Sequence, residues 1–239
     1  MSASAETVFD YAVGAQSYSG VLLEVHGATP TAIVVLLPDW RGQSQLAHDH
    51  AAFLVGLGCT VAIADLYGNG FAPDSPDQVG PLVQRLIEHR NEGVDALASC
   101  ITQLRLLVPE DVPVLCLGYS AGGMVALDYG RSGGDVAGII LCSALLKTAA
   151  DGMNTRIRVP VLIFQGTQDQ VSPMDTIAAV VAEMDEIEND VRFELYTQTH
   201  HAFDNPDAGS DPTARLVYSA RSARRAREAI AAFVAEFTT

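Results

Sequence analysis

Basic residues are scarce in this sequence. Its 239 residues include 14 Lys and Arg against 29 Asp and Glu, which gives a formal net charge of −15. Proteins that bind nucleic acid draw their affinity from clusters of Lys and Arg that neutralise phosphates. We therefore expect no nucleic-acid partner.

Long apolar runs are also missing. No uninterrupted apolar stretch approaches the roughly 18 to 20 residues that a membrane-spanning helix needs. Residues 1–13 lack a basic segment followed by an apolar run, which is the pattern of a secretion signal. We therefore expect no membrane partner and a cytoplasmic location.

Cysteine is rare, and its four residues are far apart in the chain: Cys59, Cys100, Cys116 and Cys142. No two of them have the C-x-x-C spacing, so we interpret them as reduced core thiols rather than disulfide partners or zinc ligands. His48 and His50 stand two apart in a predicted helix and would diverge on its surface, which disfavours chelation. The sequence predicts neither a metal nor another cofactor.

What the sequence does contain is a regular alternation of short apolar runs with longer amphipathic segments. This alternation is typical of parallel strands, buried on both faces, that are connected by helices. The predicted strands are 31–38, 59–65, 113–119, 137–143, 159–166 and a run from 191, with 6–13 and 17–25 as an antiparallel hairpin at one edge. The predicted helices are about 45–57, 78–107 with a break near Pro81, 121–131, 173–185 and 213–237. We expect one α/β domain over residues 1–239, with helices on both faces of a mostly parallel sheet.

The segment 118-GYSAG-122 is a G-x-S-x-G motif between a predicted buried strand and a predicted helix. A serine at such a sharp turn projects its hydroxyl above the sheet, and the flanking glycines relieve backbone clashes. This context favours Ser120 as a nucleophile over a serine that only packs in a turn. The backbone amide of Ala121 would then point at a developing oxyanion.

A serine nucleophile needs a base, and the run 191-VRFELYTQTHHAF-203 supplies two histidines after a late strand. We prefer His201, because Ala202 and Phe203 would fix its loop by packing. His200 would then line the rim, and it stays open as the alternative base.

The base needs a carboxylate to orient it, and Asp169 follows the strand before the histidines. A turn or helix-cap role for Asp169 is the alternative. The chain order Ser120, Asp169, His201 favours a catalytic triad. The loop 38-PDWRG-42 after an early strand would supply the second oxyanion donor, the backbone amide of Trp40, whether or not its side chain only packs.

With these positions in view, residues 15–238 resemble the dienelactone hydrolase family of α/β-hydrolases. The motifs that carry the resemblance are 38-PDWRG-42, 64-ADLYGNG-70, 118-GYSAGG-123, 165-QGTQD-169 and 201-HAFDNPDAG-209. The resemblance implies the α/β-hydrolase fold and cofactor-free cleavage of small carboxylic esters or lactones.

The sequence departs from the family pattern at two positions. The family usually has Cys where this chain has Ser120, which moves the expected chemistry toward that of a carboxylesterase. Dienelactone hydrolases that resemble this chain have Glu at the position of Asp39, where it is linked to thiol activation; here we expect Asp39 to line the pocket. No motif places the arginines that hold substrate carboxylates in the family, and Arg41 either contacts substrate or is solvated.

Only 144–158 separate two predicted strands where many related folds insert a lid, so we expect no separate lid domain. Loop positions predict a mostly apolar pocket for a small acyl group. The predicted walls are Trp40, Tyr67, Phe71, Leu145 and His200.

Two other functions remain open at this point. The same triad would serve an acyltransferase or cyclase that passes the acyl group to a nucleophile other than water. A catalytically silent ligand-binding protein on the same scaffold is the second alternative. We expect a monomer or a homodimer whose partner is a small-molecule ester or lactone.

Overall fold

The fold is described from a computed structural model, which covers residues 6–25, 27–73, 75–153 and 156–237. One eight-stranded sheet runs through this part of the chain in the order β1-β2-β4-β3-β5-β6-β7-β8. β1 and β2 form an antiparallel hairpin, β2 pairs antiparallel with β4, and every other pair is parallel. The strands are β1 Glu6–Val13, β2 Gln16–Leu23, β3 Ile33–Leu37, β4 Thr60–Ile63, β5 Val114–Tyr119, β6 Gly138–Cys142, β7 Val161–Gly166 and β8 Val191–Tyr196.

The predicted strand order along the chain and the edge hairpin are confirmed. Every residue of β3 to β7 is buried, which is the reason these runs are almost continuously apolar. The last strand, β8, lies at the sheet edge and is only partly buried, so its sequence alternates between apolar and polar residues.

The described residues form six α-helices: α1 Gln45–Gly56, α2 Pro76–Glu88, α3 Arg90–Leu104, α4 Ala121–Arg131, α5 Met174–Glu186 and α6 Ala220–Ala235. The apolar faces of α1 and α6 pack in one core layer, and those of α3, α4 and α5 pack in the layer on the other side of the sheet. This arrangement confirms an α/β fold with helices on both faces.

The predicted break near Pro81 is wrong. Pro81 lies inside α2, where its missing N–H affects the solvent-exposed first turns, and the chain breaks instead at His89, whose φ and ψ are −119° and 50°. The two helices differ in burial: α3 buries one apolar stripe against the sheet, whereas none of residues 77–88 is buried. The break therefore separates a core helix from a surface helix.

The predicted start of the last helix at residue 213 is also wrong. α6 begins at Ala220, with the Ser219 hydroxyl as its cap. The preceding residues support the loop of His201 instead: the Val217 N–H donates to the His201 carbonyl at 3.1 Å, and the Ser219 N–H donates to the Phe203 carbonyl at 3.0 Å. Backbone contacts to a distant loop override helix propensity in this segment.

Between β6 and β7, the described residues 143–153 and 156–160 form no helix or strand. No lid domain is inserted there, as the sequence predicted. Among the helices of the described ranges, none combines the length and apolar character needed to cross a bilayer.

Candidate active site

Ser120 occupies the sharp turn between β5 and α4. Its φ is 47°, in the left-handed region that a non-glycine residue rarely adopts. A Cβ on Gly122 would lie 2.4 Å from the carbonyl oxygens of Leu37 and Pro38, and a Cβ on Gly118 would lie 2.6 Å from the Cα of Gly123. The glycines of the motif are therefore required because backbone segments approach each other closely at this turn.

His201 lies opposite this serine, on the loop after β8. Its Nε2 is 2.9 Å from the Ser120 Oγ, and the imidazole is almost completely buried. The loop is anchored by Phe203, which has no exposed surface, and by the backbone bonds to residues 217 and 219 described above. His201 is thus held in place by the packing of Phe203 and by these backbone bonds.

Asp169 completes the contact chain from the loop after β7. Its Oδ2 is 2.8 Å from His201 Nδ1, while its Oδ1 accepts hydrogen bonds from the N–H groups of Val171 and Ser172 at 2.7 and 3.0 Å. A Cβ on Gly166 would lie 2.1 Å from the Thr199 carbonyl oxygen, so glycine allows the two loops to meet. The carboxylate faces the imidazole in a fixed orientation.

His200, the alternative base, is buried but makes no hydrogen bond to Ser120 among the described residues. The histidine that the structure brings to the serine is His201.

Of the two predicted oxyanion donors, Trp40 lines the cleft beside Ser120, and Ala121 follows Ser120 at the start of α4. Neither the N–H of Trp40 nor that of Ala121 donates to another residue within the described ranges, so both are available to a ligand. The Tyr67 hydroxyl donates to the Trp40 carbonyl at 2.8 Å and holds this loop. Burial raises the pKa of Tyr67 far above its ordinary value, which keeps that hydroxyl protonated.

Asp39 and Arg41 form an ion pair on the same loop. The Arg41 Nη2 is 2.6 Å from Asp39 Oδ2, and the Arg41 backbone N–H donates to Oδ1 at 2.9 Å. The guanidinium also lies 5.5 Å from the centre of the Trp40 ring. Arg41 is therefore held by Asp39 and Trp40 rather than freely solvated.

The cleft beside the serine has polar as well as apolar walls. Of the predicted substrate-binding residues, Asp39 and Trp40 line it, whereas Arg41, Tyr67, Phe71, Leu145 and His200 lie outside its lining, and their contact with substrate stays a prediction. The sequence-based reasoning missed five lining residues, although each one stands at a strand end, directly after one, or within a motif. They are Tyr119, Cys142, Ser143, Ala202 and Asp204.

A second histidine–aspartate pair lies next to this cleft. His50, on α1, has its Nε2 3.1 Å from Asp204 Oδ2, and its ring stacks on Tyr119 with 4.1 Å between centres. His48, two residues earlier, contacts the Ser44 carbonyl instead. No cluster of three or more side chains able to hold a metal ion occurs in the described part of the chain.

The four cysteines are free and buried. Cys142 lines the cleft, and burial raises the pKa of its thiol well above the ordinary value. Burial also raises the pKa of Cys59 to about 11 and that of Cys100 to about 12. These thiols stay protonated near neutral pH, so none is a ready nucleophile.

Known proteins share both the sequence pattern and the fold. The model of the dienelactone hydrolase family matches residues 19–238. Two similar solved structures each align over 100% of both chains: m3DLH, at 27% identity with a TM-score of 0.91, and the dienelactone hydrolase-like promiscuous phosphotriesterase P91 from metagenomic libraries, at 24% identity with a TM-score of 0.92. The carboxylesterase Cest-2923 from Lactobacillus plantarum is 15% identical with a TM-score of 0.68, over 98% of this chain and 99% of that chain. No curated protein matches the sequence.

Proposed function

The chain belongs to the dienelactone hydrolase family and is a hydrolase of that type, and we propose that it cleaves small, uncharged carboxylic esters or lactones through an acyl-enzyme on Ser120. One observation carries the proposal: the contact chain from Ser120 through His201 to Asp169, with distances of 2.9 and 2.8 Å. A hydroxyl becomes an effective nucleophile when a base within this distance removes its proton.

The reaction proceeds in two halves. His201 Nε2 takes the proton of Ser120 as Oγ attacks the carbonyl carbon, and Asp169 stabilises the imidazolium that forms. The amides of Trp40 and Ala121 donate to the oxyanion of the tetrahedral intermediate. The leaving alcohol receives the proton from His201, and a water molecule then repeats the cycle on the acyl-enzyme.

Serine is the nucleophile in this proposal even though the family usually employs cysteine at this position. The nearest thiol in the cleft, Cys142, has a raised pKa and is protonated at neutral pH. A thiol-specific reagent such as iodoacetamide should therefore leave activity unchanged, whereas a fluorophosphonate should abolish it.

Charge in the cleft supports an uncharged substrate. Two carboxylates line it, those of Asp39 and Asp204, and none of its described lining residues is Lys or Arg. Arg41, the nearest cation on the oxyanion loop, is engaged by Asp39. A substrate carboxylate would meet repulsion here and find no free cation to pair with.

The test is hydrolysis of p-nitrophenyl esters with acyl chains of two to twelve carbons by the wild type and Ser120→Ala. Mass spectrometry of the fluorophosphonate-treated protein locates the nucleophile. We expect rates that peak at short chains, no turnover in the variant and an adduct on Ser120. A long-chain preference would contradict the small-substrate assignment, and an adduct elsewhere would contradict the nucleophile.

The same experiment separates the two alternatives. A clean Ser120 adduct without hydrolysis would favour an acyltransferase or cyclase, and product analysis with added alcohols would then show ester forming faster than acid. Neither turnover nor adduct would favour a ligand-binding protein on this scaffold.

A further inference from the structure

Ser143 lies directly after β6 and lines the same cleft as Ser120. In the sheet, β6 stands between β5, which leads to Ser120, and β7, which leads to Asp169. Ligands of open α/β sheets bind at this carboxyl edge of the strands. The proposed proton transfers and oxyanion contacts do not involve Ser143, so its place at the site needs another explanation.

The backbone of Ser143 is in an unfavourable conformation. Its φ is 45°, in the left-handed region where a residue with a Cβ is strained and glycine is not. Its N–H donates to the Phe164 carbonyl at 3.0 Å, which continues the sheet pairing one residue beyond β6. The sheet fixes this conformation, and a glycine would adopt it more easily.

The Ser143 hydroxyl is also unpaired. The residue is 2% exposed, and its Oγ has no hydrogen-bond partner among the described residues. Ser172, another buried serine, provides the contrast: its Oγ donates to the Ala144 carbonyl and accepts from the Leu146 N–H, both at 2.8 Å. A buried hydroxyl without a partner destabilises the fold relative to alanine, so the fold gains nothing from this one.

We propose that Ser143 determines substrate specificity by donating a hydrogen bond to an oxygen that the substrate carries near its scissile carbonyl. This inference rests on the proposed esterase function. The preferred class is then small hydroxyacyl esters rather than plain alkyl esters.

The surroundings of Ser143 favour a hydroxyl as the recognised group. A substrate hydroxyl would accept from Ser143 and donate to a carboxylate, and Asp204 lines the same cleft. A site built to pair a hydroxyl discriminates against an analogue that lacks it, because its own polar groups are then left unpaired.

The experiment compares p-nitrophenyl 3-hydroxybutyrate with p-nitrophenyl butyrate, which share the leaving group and the chain length. We expect kcat/KM of the wild type to be about tenfold higher for the hydroxy ester, after correction for the rates of alkaline hydrolysis. Ser143→Ala should remove this preference, so that the ratio of kcat/KM for the two esters falls close to one. Its melting temperature should stay the same or rise, because the lost hydroxyl made no hydrogen bond.

Ser172→Ala is the matched control, since it removes a buried serine hydroxyl that has partners. This variant should lower the melting temperature and keep the preference for the hydroxy ester. Equal wild-type rates on the two esters, or an equal loss on both in Ser143→Ala, would overturn the inference while the esterase function stands. Absence of both turnover and a Ser120 adduct would overturn the esterase function and this inference together.

Discussion

Two histidine–aspartate pairs flank the cleft, and they differ in what the imidazole meets on its other side. His201 binds Asp169 through Nδ1 and faces the Ser120 hydroxyl through Nε2. His50 binds Asp204 through Nε2, and its ring face stacks on Tyr119. All four side chains are largely buried. Residue type and burial are alike in the two pairs, so the role that we propose for each histidine follows from the group that its ring meets on the other side.

The two carboxylates also differ in their support. Asp169 accepts hydrogen bonds from two backbone N–H groups besides the imidazole, whereas among the described residues the Asp204 carboxylate is bound by His50. Asp169 would stay satisfied without its histidine, and Asp204 would lose its hydrogen-bond donor. We therefore expect the His201–Asp169 pair to control the rate and the His50–Asp204 pair to control stability and selectivity.

The sharpest test of this division replaces each histidine in turn. His201→Ala should lower kcat on p-nitrophenyl butyrate by about 10³- to 10⁴-fold, because Ser120 loses its base. His50→Ala should lower kcat by less than about tenfold, since His50 contacts no reacting group. Equal losses in the two variants, measured by steady-state kinetics, would contradict the division.

The aspartate that orients the base should have the next largest effect. Asp169→Asn keeps the shape of the side chain but removes the charge that stabilises the imidazolium, and kcat should fall by about 10²- to 10⁴-fold. The same kinetic assay measures it. A near-normal kcat would show that His201 does not depend on this carboxylate.

For the free energy of unfolding we expect the opposite order, with the larger loss in His50→Ala. His50→Ala should reduce the free energy of unfolding by about 2–4 kcal/mol, because it removes the Tyr119 stack and leaves the Asp204 carboxylate without its donor. His201→Ala should cost about 1–2 kcal/mol, since Asp169 keeps two backbone donors. Urea denaturation of both variants checks this, and a larger loss in His201→Ala would contradict it.

The smallest expected effect concerns substrate charge. Asp204→Asn removes one of the two cleft carboxylates and should change kcat/KM on p-nitrophenyl butyrate by less than about threefold. The mono-p-nitrophenyl ester of succinic acid has a similar length and a negative end. In Asp204→Asn, its kcat/KM relative to that of p-nitrophenyl butyrate should rise about three- to tenfold. An unchanged ratio of the two rates would show that the Asp204 charge does not reach the substrate.

Much of the fold followed from the sequence. The buried strands were predicted because parallel strands covered on both faces must be apolar at nearly every residue, as in β3 and β5. The turn at Ser120 was predicted because its glycine-flanked serine stands between a buried-strand pattern and a helix pattern. The break at His89 and the late start of α6 were not predicted. Each depends on contacts with segments that are distant in the chain.

The residues of the candidate site likewise include some that the sequence predicted and some that it did not. Ser120, His201 and Asp169 each stand in a local pattern of strand, turn and motif, so their meeting could be expected. Asp204 stands in the motif 201-HAFDNPDAG-209, but that motif does not show which of its side chains reaches the cleft. Ser143 stands in no motif, and its carboxyl-edge position after β6 was the one signal that could have identified it.

By itself, the sequence determined the succession of strands and helices along the chain and the positions of the sharp turns, because backbone sterics and burial act over a few neighbouring residues. Only the tertiary structure decided which histidine faces the serine, across 81 residues, and that His50 reaches Asp204, across 154. It also decided that the buried Ser143 hydroxyl has no hydrogen-bond partner among the described residues. Such contacts depend on how the loops at one edge of the sheet pack together, and no local pattern encodes that packing.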